Sequence, residues 1–140
     1  MLVEVTGIVE HPVAEVWDFA AVHHEQNHPR WDHDISLERT TPGPVGVGTT
    51  WTRRNTRFGI DSTGTTEVVE FEPEQRMTVE TAERGIRFRG IMKVAPHGPD
   101  RTDLTLGADI PGLDEDGAER FRPMLARSIE TIARLMSGTD

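Results

Sequence analysis

Four histidines lie within a short polar stretch, and imidazole is the side chain best suited to proton transfer or metal binding near neutral pH. They are His23, His24, His28 and His33. His24 and His28 are four residues apart and would share one face of a helix, with Glu25, Asp32 or Asp34 available as a further metal ligand. The pair lacks the intervening Glu of a helical zinc motif, and a solvated polar loop explains the same residues. We therefore predict no metal site and no cofactor.

Two of these histidines, His28 and His33, are candidates for a general acid or base. Arg53 is the third candidate for a catalytic role. It lies two residues from Trp51, and residues two apart on a strand share a face, so a buried Trp51 would also direct the guanidinium inward. A buried guanidinium must be paired, either with a carboxylate or phenolate on a ligand or with Glu67 on the next predicted strand. Both pairings remain open.

The elements that position these residues follow from the spacing of apolar side chains. Residues 2–10 alternate and predict a strand, Pro12 opens a short helix, and residues 21–30 predict one further helical turn that breaks at Pro29. Six more strands are predicted, separated by segments rich in Gly and Pro. They span residues 34–40, 49–57, 62–71, 77–81, 86–94 and 102–110.

The last segment has the pattern of a long amphipathic helix. Asp114 is a good N-cap, and Gly138 supplies the stop. Pro123 falls inside the segment, so the helix either bends there or begins its regular part there. The apolar stripe has only the concave face of the sheet to pack against. Its residues are Phe121, Leu125, Ser128, Ile132 and Leu135, widened by Met124, Ile129 and Met136.

One strand is ambiguous in its facing. Val68 and Val69 are adjacent, and both can face inward only if the strand contains a β-bulge. The loop Gly46-Val47-Gly48 precedes no helix and has no Lys-Ser/Thr behind it, so we predict a connecting turn and no phosphate site.

Composition excludes several classes of function. The chain has 140 residues, the usual size of one domain, and a formal net charge of -9. No cluster of Lys or Arg forms the basic surface that nucleic acid or an anionic membrane requires. The chain has no Cys and no apolar stretch that could span a bilayer, and its acidic first residues predict no signal peptide, so a cytoplasmic location is expected. Lys93 is the only Lys among 15 basic residues, a bias typical of GC-rich bacterial genomes.

The order of several short motifs resembles the superfamily of START domains, Bet v 1 allergens and polyketide cyclase/dehydrase proteins, which share the helix-grip fold. The resemblance covers nearly the whole chain. The motifs are PVAEVWDF at 12–19, PRWD at 29–32, GPVGVGT at 43–49, EVVEFEP at 67–73, FRG at 88–90 and the terminal helix. The resemblance implies a single α+β domain over residues 1–140, in which a curved antiparallel sheet of about seven strands wraps a long C-terminal helix, with two short helices after the first strand.

The resemblance also implies a ligand cavity between the sheet and the terminal helix. Besides Arg53, its lining would consist of Trp51, Met77, Val79, Phe88, Gly90, Met92, Leu104, Leu106, Phe121, Leu125 and Ser128.

Three functions are consistent with this fold. The first is binding of a hydrophobic or aromatic small molecule, lipid-like or polyketide-like, by a monomer or homodimer. The second is a polyketide cyclase or dehydratase in which Arg53 holds a substrate oxygen and His28 or His33 moves protons. The third is a regulatory or chaperone-interacting domain without a ligand. A cavity that combines Arg53 with an imidazole would favour catalysis, whereas a sealed and filled interior would favour the third function.

Overall fold

In the computed structural model, which describes residues 1–138, seven strands form one antiparallel sheet with three α-helices. This confirms the predicted α+β class, the two short helices after the first strand and the long C-terminal helix. The strands are β1 Leu2–Val9, β2 Ile35–Arg39, β3 Thr50–Asn55, β4 Ser62–Glu72, β5 Arg76–Glu83, β6 Ile86–Pro96 and β7 Thr102–Asp109. The helices are α1 Val13–Trp17, α2 His24–Trp31 and α3 Glu115–Met136.

The sheet is a meander whose first strand is added beside its last, in the order β1-β7-β6-β5-β4-β3-β2. Short turns join the consecutive strands and favour this arrangement. Between β5 and β6, for example, Arg84 and Gly85 have φ angles of 55° and 78°. Two positive φ values are typical of the tight turn that matches the right-handed twist of paired strands.

Side chains on the concave face of β5, β6 and β7 form rows across the sheet, as the alternation predicted. Met77 lies opposite Met92, and Met92 lies opposite Leu106. On β4 the register shifts between Val68 and Glu70, so the strand contains a bulge where the sequence left its facing ambiguous. Val68 is fully buried and Val69 only partly.

Helix α3 crosses the concave face and is continuous through Pro123, which is exposed. Asp114 caps it by accepting a hydrogen bond from the Gly117 amide at 2.8 Å. At Gly7 on β1 an added Cβ would lie 2.7 Å from Ile129 Cγ2. The lack of a side chain at this position therefore allows α3 to pack directly on the sheet.

The segment between β1 and β2 differs from the prediction in detail. A π-helical turn, Asp18–Val22, joins α1 to α2, and α2 continues through Pro29 to Trp31 instead of breaking at the proline. Pro29 lies within three residues of the C-terminal end of the helix, where its missing N–H costs only one intrahelical hydrogen bond. Among the described helices, none is long and apolar enough to cross a membrane.

Candidate functional site

A cavity of about 170 Å³ lies between the concave face of the sheet, α2 and α3. Its floor and one wall are apolar, formed by side chains of β5, β6, β7 and α3. Polar side chains of α2, β3 and the 3₁₀ turn Arg57–Gly59 form the other end. The lining consists of His24, His28, Trp31, Asp32, Arg53, Arg57, Met77, Val79, Gly90, Ile91, Met92, Leu106, Gly107, Phe121, Met124, Leu125 and Ser128.

The structure brings most of the residues named from the sequence into this one lining. Arg53 and His28 are both present, together with the apolar and small residues Met77, Val79, Gly90, Met92, Leu106, Phe121, Leu125 and Ser128. Their role in binding a ligand stays a prediction. Their shared position follows from strand alternation, which aligns the inward residues of neighbouring strands.

Four of the named residues lie elsewhere. Trp51 and Leu104 are fully buried in the core and do not line the cavity. Phe88 lies beneath the guanidinium of Arg53, whose Cζ is 5.5 Å from the ring centre. His33 is exposed, and its Nε2 lies 3.2 Å from the Arg30 carbonyl oxygen. Strand alternation predicts which residues face inward, but it does not distinguish residues that line the cavity from residues that pack in the core.

Two consecutive hydrogen bonds determine which ring nitrogen carries the proton in neutral His24 and His28. His24 Nδ1 lies 3.0 Å from the carbonyl oxygen of Ala20, which can only accept, so this nitrogen carries the proton. In the neutral ring His24 Nε2 is then an acceptor, and it lies 3.2 Å from His28 Nδ1. His28 Nδ1 therefore donates, and neutral His28 has its lone pair on Nε2.

The surroundings of His28 favour this neutral form. Burial lowers the pKa of His28 well below its usual range, and the nearby His24, Arg53 and Arg57 lower that pKa further. Burial also lowers the pKa of His24, although the Ala20 carbonyl and Glu25 oppose the change. The His28 ring stacks on Trp31 with the ring centres 5.0 Å apart. A base held in a fixed orientation is therefore part of the cavity lining.

Arg53 pairs inside the protein with Glu83, a residue that the sequence analysis did not consider as its partner. Its NH1 donates to Glu83 Oε1 at 2.9 Å, whereas Glu67 is exposed. Glu83 is on β5 and Arg53 on β3, so the bridge crosses β4, where Gly64 lies opposite Arg53. A Cβ on Gly64 would lie 2.9 Å from Glu83 Cβ, so the absence of this side chain leaves the space that the ion pair occupies.

The remaining polar residues of the lining form a second ion pair at the mouth. Arg57 NH2 lies 2.6 Å from Asp32 Oδ2, and Arg57 Nε lies 3.7 Å from Asp34 Oδ2. The sequence analysis did not name Arg57 as a lining residue, although the predicted strand 49–57 places it on the face of Trp51 and Arg53. That shared parity is the signal that could have suggested it, even though β3 ends at Asn55 and Arg57 lies in the 3₁₀ turn that follows.

Other lining residues also escaped the sequence analysis. His24 was considered only as a metal ligand, and Trp31 only as part of the PRWD motif. Ile91 and Gly107 are next to the inward-facing Met92 and Leu106 in sequence, so strand alternation predicts that they face away from the cavity. Within residues 1–138, no group of three or more His, Asp or Glu side chains is placed to hold a metal ion.

Comparisons with known proteins agree with this architecture. The family model described as polyketide cyclase/dehydrase and lipid transport matches residues 2–137. A search of curated proteins finds no match.

Solved structures share the fold at low sequence identity. Ara h 8.0201 superposes with a TM-score of 0.74 at 13% identity, over 99% of both chains. Ms6760 from Mycobacterium smegmatis gives 0.71 at 12% identity, over 99% of this chain and 92% of the other. DynU16, described as a putative protein in the dynemicin biosynthetic locus, gives 0.71 at 22% identity. The match covers 99% of this chain but only 48% of DynU16.

Proposed function

The chain belongs to the polyketide cyclase/dehydrase and lipid transport family, and on that premise we propose that it binds a compact hydrophobic or aromatic molecule in the cavity beneath α3. The observation that carries this proposal is an apolar cavity with its polar groups gathered at one end. Such an arrangement buries the body of a ligand and orients it by a few polar contacts. A filled interior would have favoured the regulatory alternative.

The size and polarity of the cavity restrict the class of ligand that it can bind. An apolar cavity of roughly 150 Å³ can hold benzene, so a cavity of about 170 Å³ suits one or two small rings or a short alkyl chain. A longer ligand must extend through the mouth. Because neutral His28 offers a lone pair at Nε2, the buried part of the ligand should carry a donor, such as a hydroxyl group.

The first experiment is native mass spectrometry of freshly purified protein, followed by titration with 2-naphthol and 2-methoxynaphthalene. The naphthol should bind more tightly, because only it can donate to His28. Ser128→Phe should block the cavity, whereas Ser128→Ala, the matched control, should preserve binding. Absence of a retained molecule together with equal, weak responses of wild type and Ser128→Phe would contradict the proposal.

A second candidate function is catalysis of a proton transfer on the bound molecule, as in a polyketide cyclase or dehydratase. The presence of Arg53 and a neutral imidazole in one lining supports it, since a base and a cation that polarises a carbonyl oxygen are the groups that enolisation requires. Arg57 is a second candidate for the cation, and both arginines are already paired, Arg53 with Glu83 and Arg57 with Asp32 and Asp34.

Hydrogen exchange in a model ketone tests this second function. In deuterated buffer, the protein should accelerate deuterium uptake at the α carbon of 2-tetralone, and His28→Gln should abolish the acceleration. His97→Gln is the matched control, because His97 is exposed and lies beside Asp103 on the sheet. Equal acceleration by the His28 variant and wild type would assign no catalytic role to His28.

A further inference from the structure

A larger outer cleft of about 520 Å³ adjoins the mouth of the cavity. Both spaces are lined by Trp31, Asp32, Arg57, Met124 and Ser128. The outer cleft adds His33 and Asp34 on one side and a polar face of α3 on the other. A ligand longer than the cavity would reach this cleft by extending between α2 and α3.

The face of α3 in this cleft presents two arginines. Arg127, Thr131 and Arg134 follow one another at spacings of four and three residues, so they lie on one side of the helix, and all three line the cleft. Arg134 donates to Thr131 Oγ1 at 3.4 Å, and Thr131 donates to the Arg127 carbonyl oxygen at 2.9 Å. Arg127 and Arg134 thus both border the outer cleft.

The charges of the cleft are only partly balanced. Arg57 is occupied by Asp32 and Asp34, the two acidic residues of the lining. As far as residues 1–138 are concerned, Arg127 and Arg134 make no ion pair, and the lining has three arginines against two aspartates. Because the whole chain carries a net charge of -9, a cleft with a net positive lining stands out from the rest of the protein.

From this arrangement we propose that the ligand is an amphipathic acid, with its apolar part in the cavity and a carboxylate bound by Arg127 and Arg134 in the outer cleft. This inference rests on the proposed binding function and specifies the ligand class. Guanidinium groups match a carboxylate through paired N–H donors, and a carboxylate held at the mouth need not be desolvated in the apolar cavity. The carboxylate also determines which end of the ligand enters first.

The experiment compares 2-naphthol with 6-hydroxy-2-naphthoate, which differ only in the carboxylate. At low ionic strength, wild type should bind the naphthoate about three- to tenfold more tightly, the effect of two exposed ion pairs. The preference should shrink towards one at 0.5 M NaCl, where charges in solvent are screened. In Arg127→Gln/Arg134→Gln the preference should disappear while affinity for 2-naphthol is retained. Arg120→Gln is the matched control, an exposed arginine of α3 outside the cleft.

Each outcome has a defined meaning. If wild type binds neither compound, the proposed binding function fails. If it binds both equally, or if the preference survives in the double variant, the carboxylate site is wrong although the cavity binds apolar molecules. Acetate added with 2-naphthol should not reproduce the preference, because a free anion lacks the tether to the buried ring. The salt dependence of wild type needs no variant and holds even if a substitution impairs folding.

Discussion

Replacing Glu83 by glutamine removes one charge from an ion pair that lies within the protein. The side chains of Arg53 and Glu83 are only 12% and 10% exposed. The carboxylate also accepts hydrogen bonds from Asn55 at 3.3 Å and Ser62 at 3.0 Å. Glu83→Gln therefore leaves the Arg53 cation without its counter-charge and turns an amide towards groups that donate.

The expected cost follows from the burial of the pair. Loss of one partner from a buried ion pair costs about 3–5 kcal/mol. Because both side chains keep some contact with solvent, we expect about 3 kcal/mol for Glu83→Gln, near the lower limit. For a chain of this size, that corresponds to a fall in Tm of about 10 °C.

Urea denaturation of a double-mutant cycle measures the interaction. Arg53→Met should cost about 2 kcal/mol, less than Glu83→Gln, because Asn55 and Ser62 still satisfy the carboxylate. The double variant should lose much less than the sum, which gives a coupling energy of about 2–3 kcal/mol.

The control is Glu80→Gln, on the same strand but the opposite face, where Glu80 contacts Arg87 and Arg89 near solvent. It should cost less than about 1 kcal/mol. A Glu83→Gln cost below about 1 kcal/mol, or strict additivity in the cycle, would refute the assignment of a buried bridge.

Three further predictions concern stability. His28 titrates near pH 6.5 when unfolded and well below that value when folded, so the unfolded state takes up its proton first and stability is lost as pH falls below 6.5. In urea titrations from pH 7 to 5.5, the free energy of unfolding should fall less steeply in His28→Gln than in wild type, by up to about 1 kcal/mol per pH unit. Equal slopes for the two proteins would contradict this prediction. Gly64→Ala should cost about 2–3 kcal/mol, because its Cβ would lie 2.4 Å from the Ala82 carbonyl oxygen; a normal thermal melt would contradict the close packing. Asp114→Ala should cost about 1 kcal/mol and Asp114→Asn much less, since asparagine also caps helix N-termini; equal melts of the two variants would show that the cap contributes nothing.

The fold could be predicted because the residue patterns that indicate it lie within single strands and helices. Within each of β5, β6 and β7, the alternation of residues two apart identifies the apolar face, to which Met77, Met92 and Leu106 belong, and the long terminal stripe then has a single surface to cover. The bulge after Val68 was one of two alternatives, since the adjacent valines require it only if both face inward. These features need no knowledge of which strands pair.

The site was less predictable because its contacts cross several elements. The partner of Arg53 depends on β4 contributing a glycine between β3 and β5, whereas the sequence analysis left open a ligand oxygen or Glu67 and did not consider Glu83. Trp51 faces inward as expected, yet other side chains separate it from the cavity. The proton positions on His24 and His28 depend on one carbonyl in the preceding π-helical turn, which no periodicity reveals.

The contact between Gly7 and Ile129 also bears on how the binding space could be resized. It fixes the C-terminal half of α3 against β1, whereas the cavity lies under the N-terminal half, around Phe121 and Leu125. Pro123 lies within the cavity-lining stretch and has no N–H to bond the Glu119 carbonyl, so the helix is most easily bent there. A bend at Pro123 would move Phe121 relative to the sheet and change the depth of the cavity while the contact between Gly7 and Ile129 stays in place. Redesign of the cavity for larger ligands should therefore begin at residues 121–125 and leave Gly7 and Ile129 unchanged.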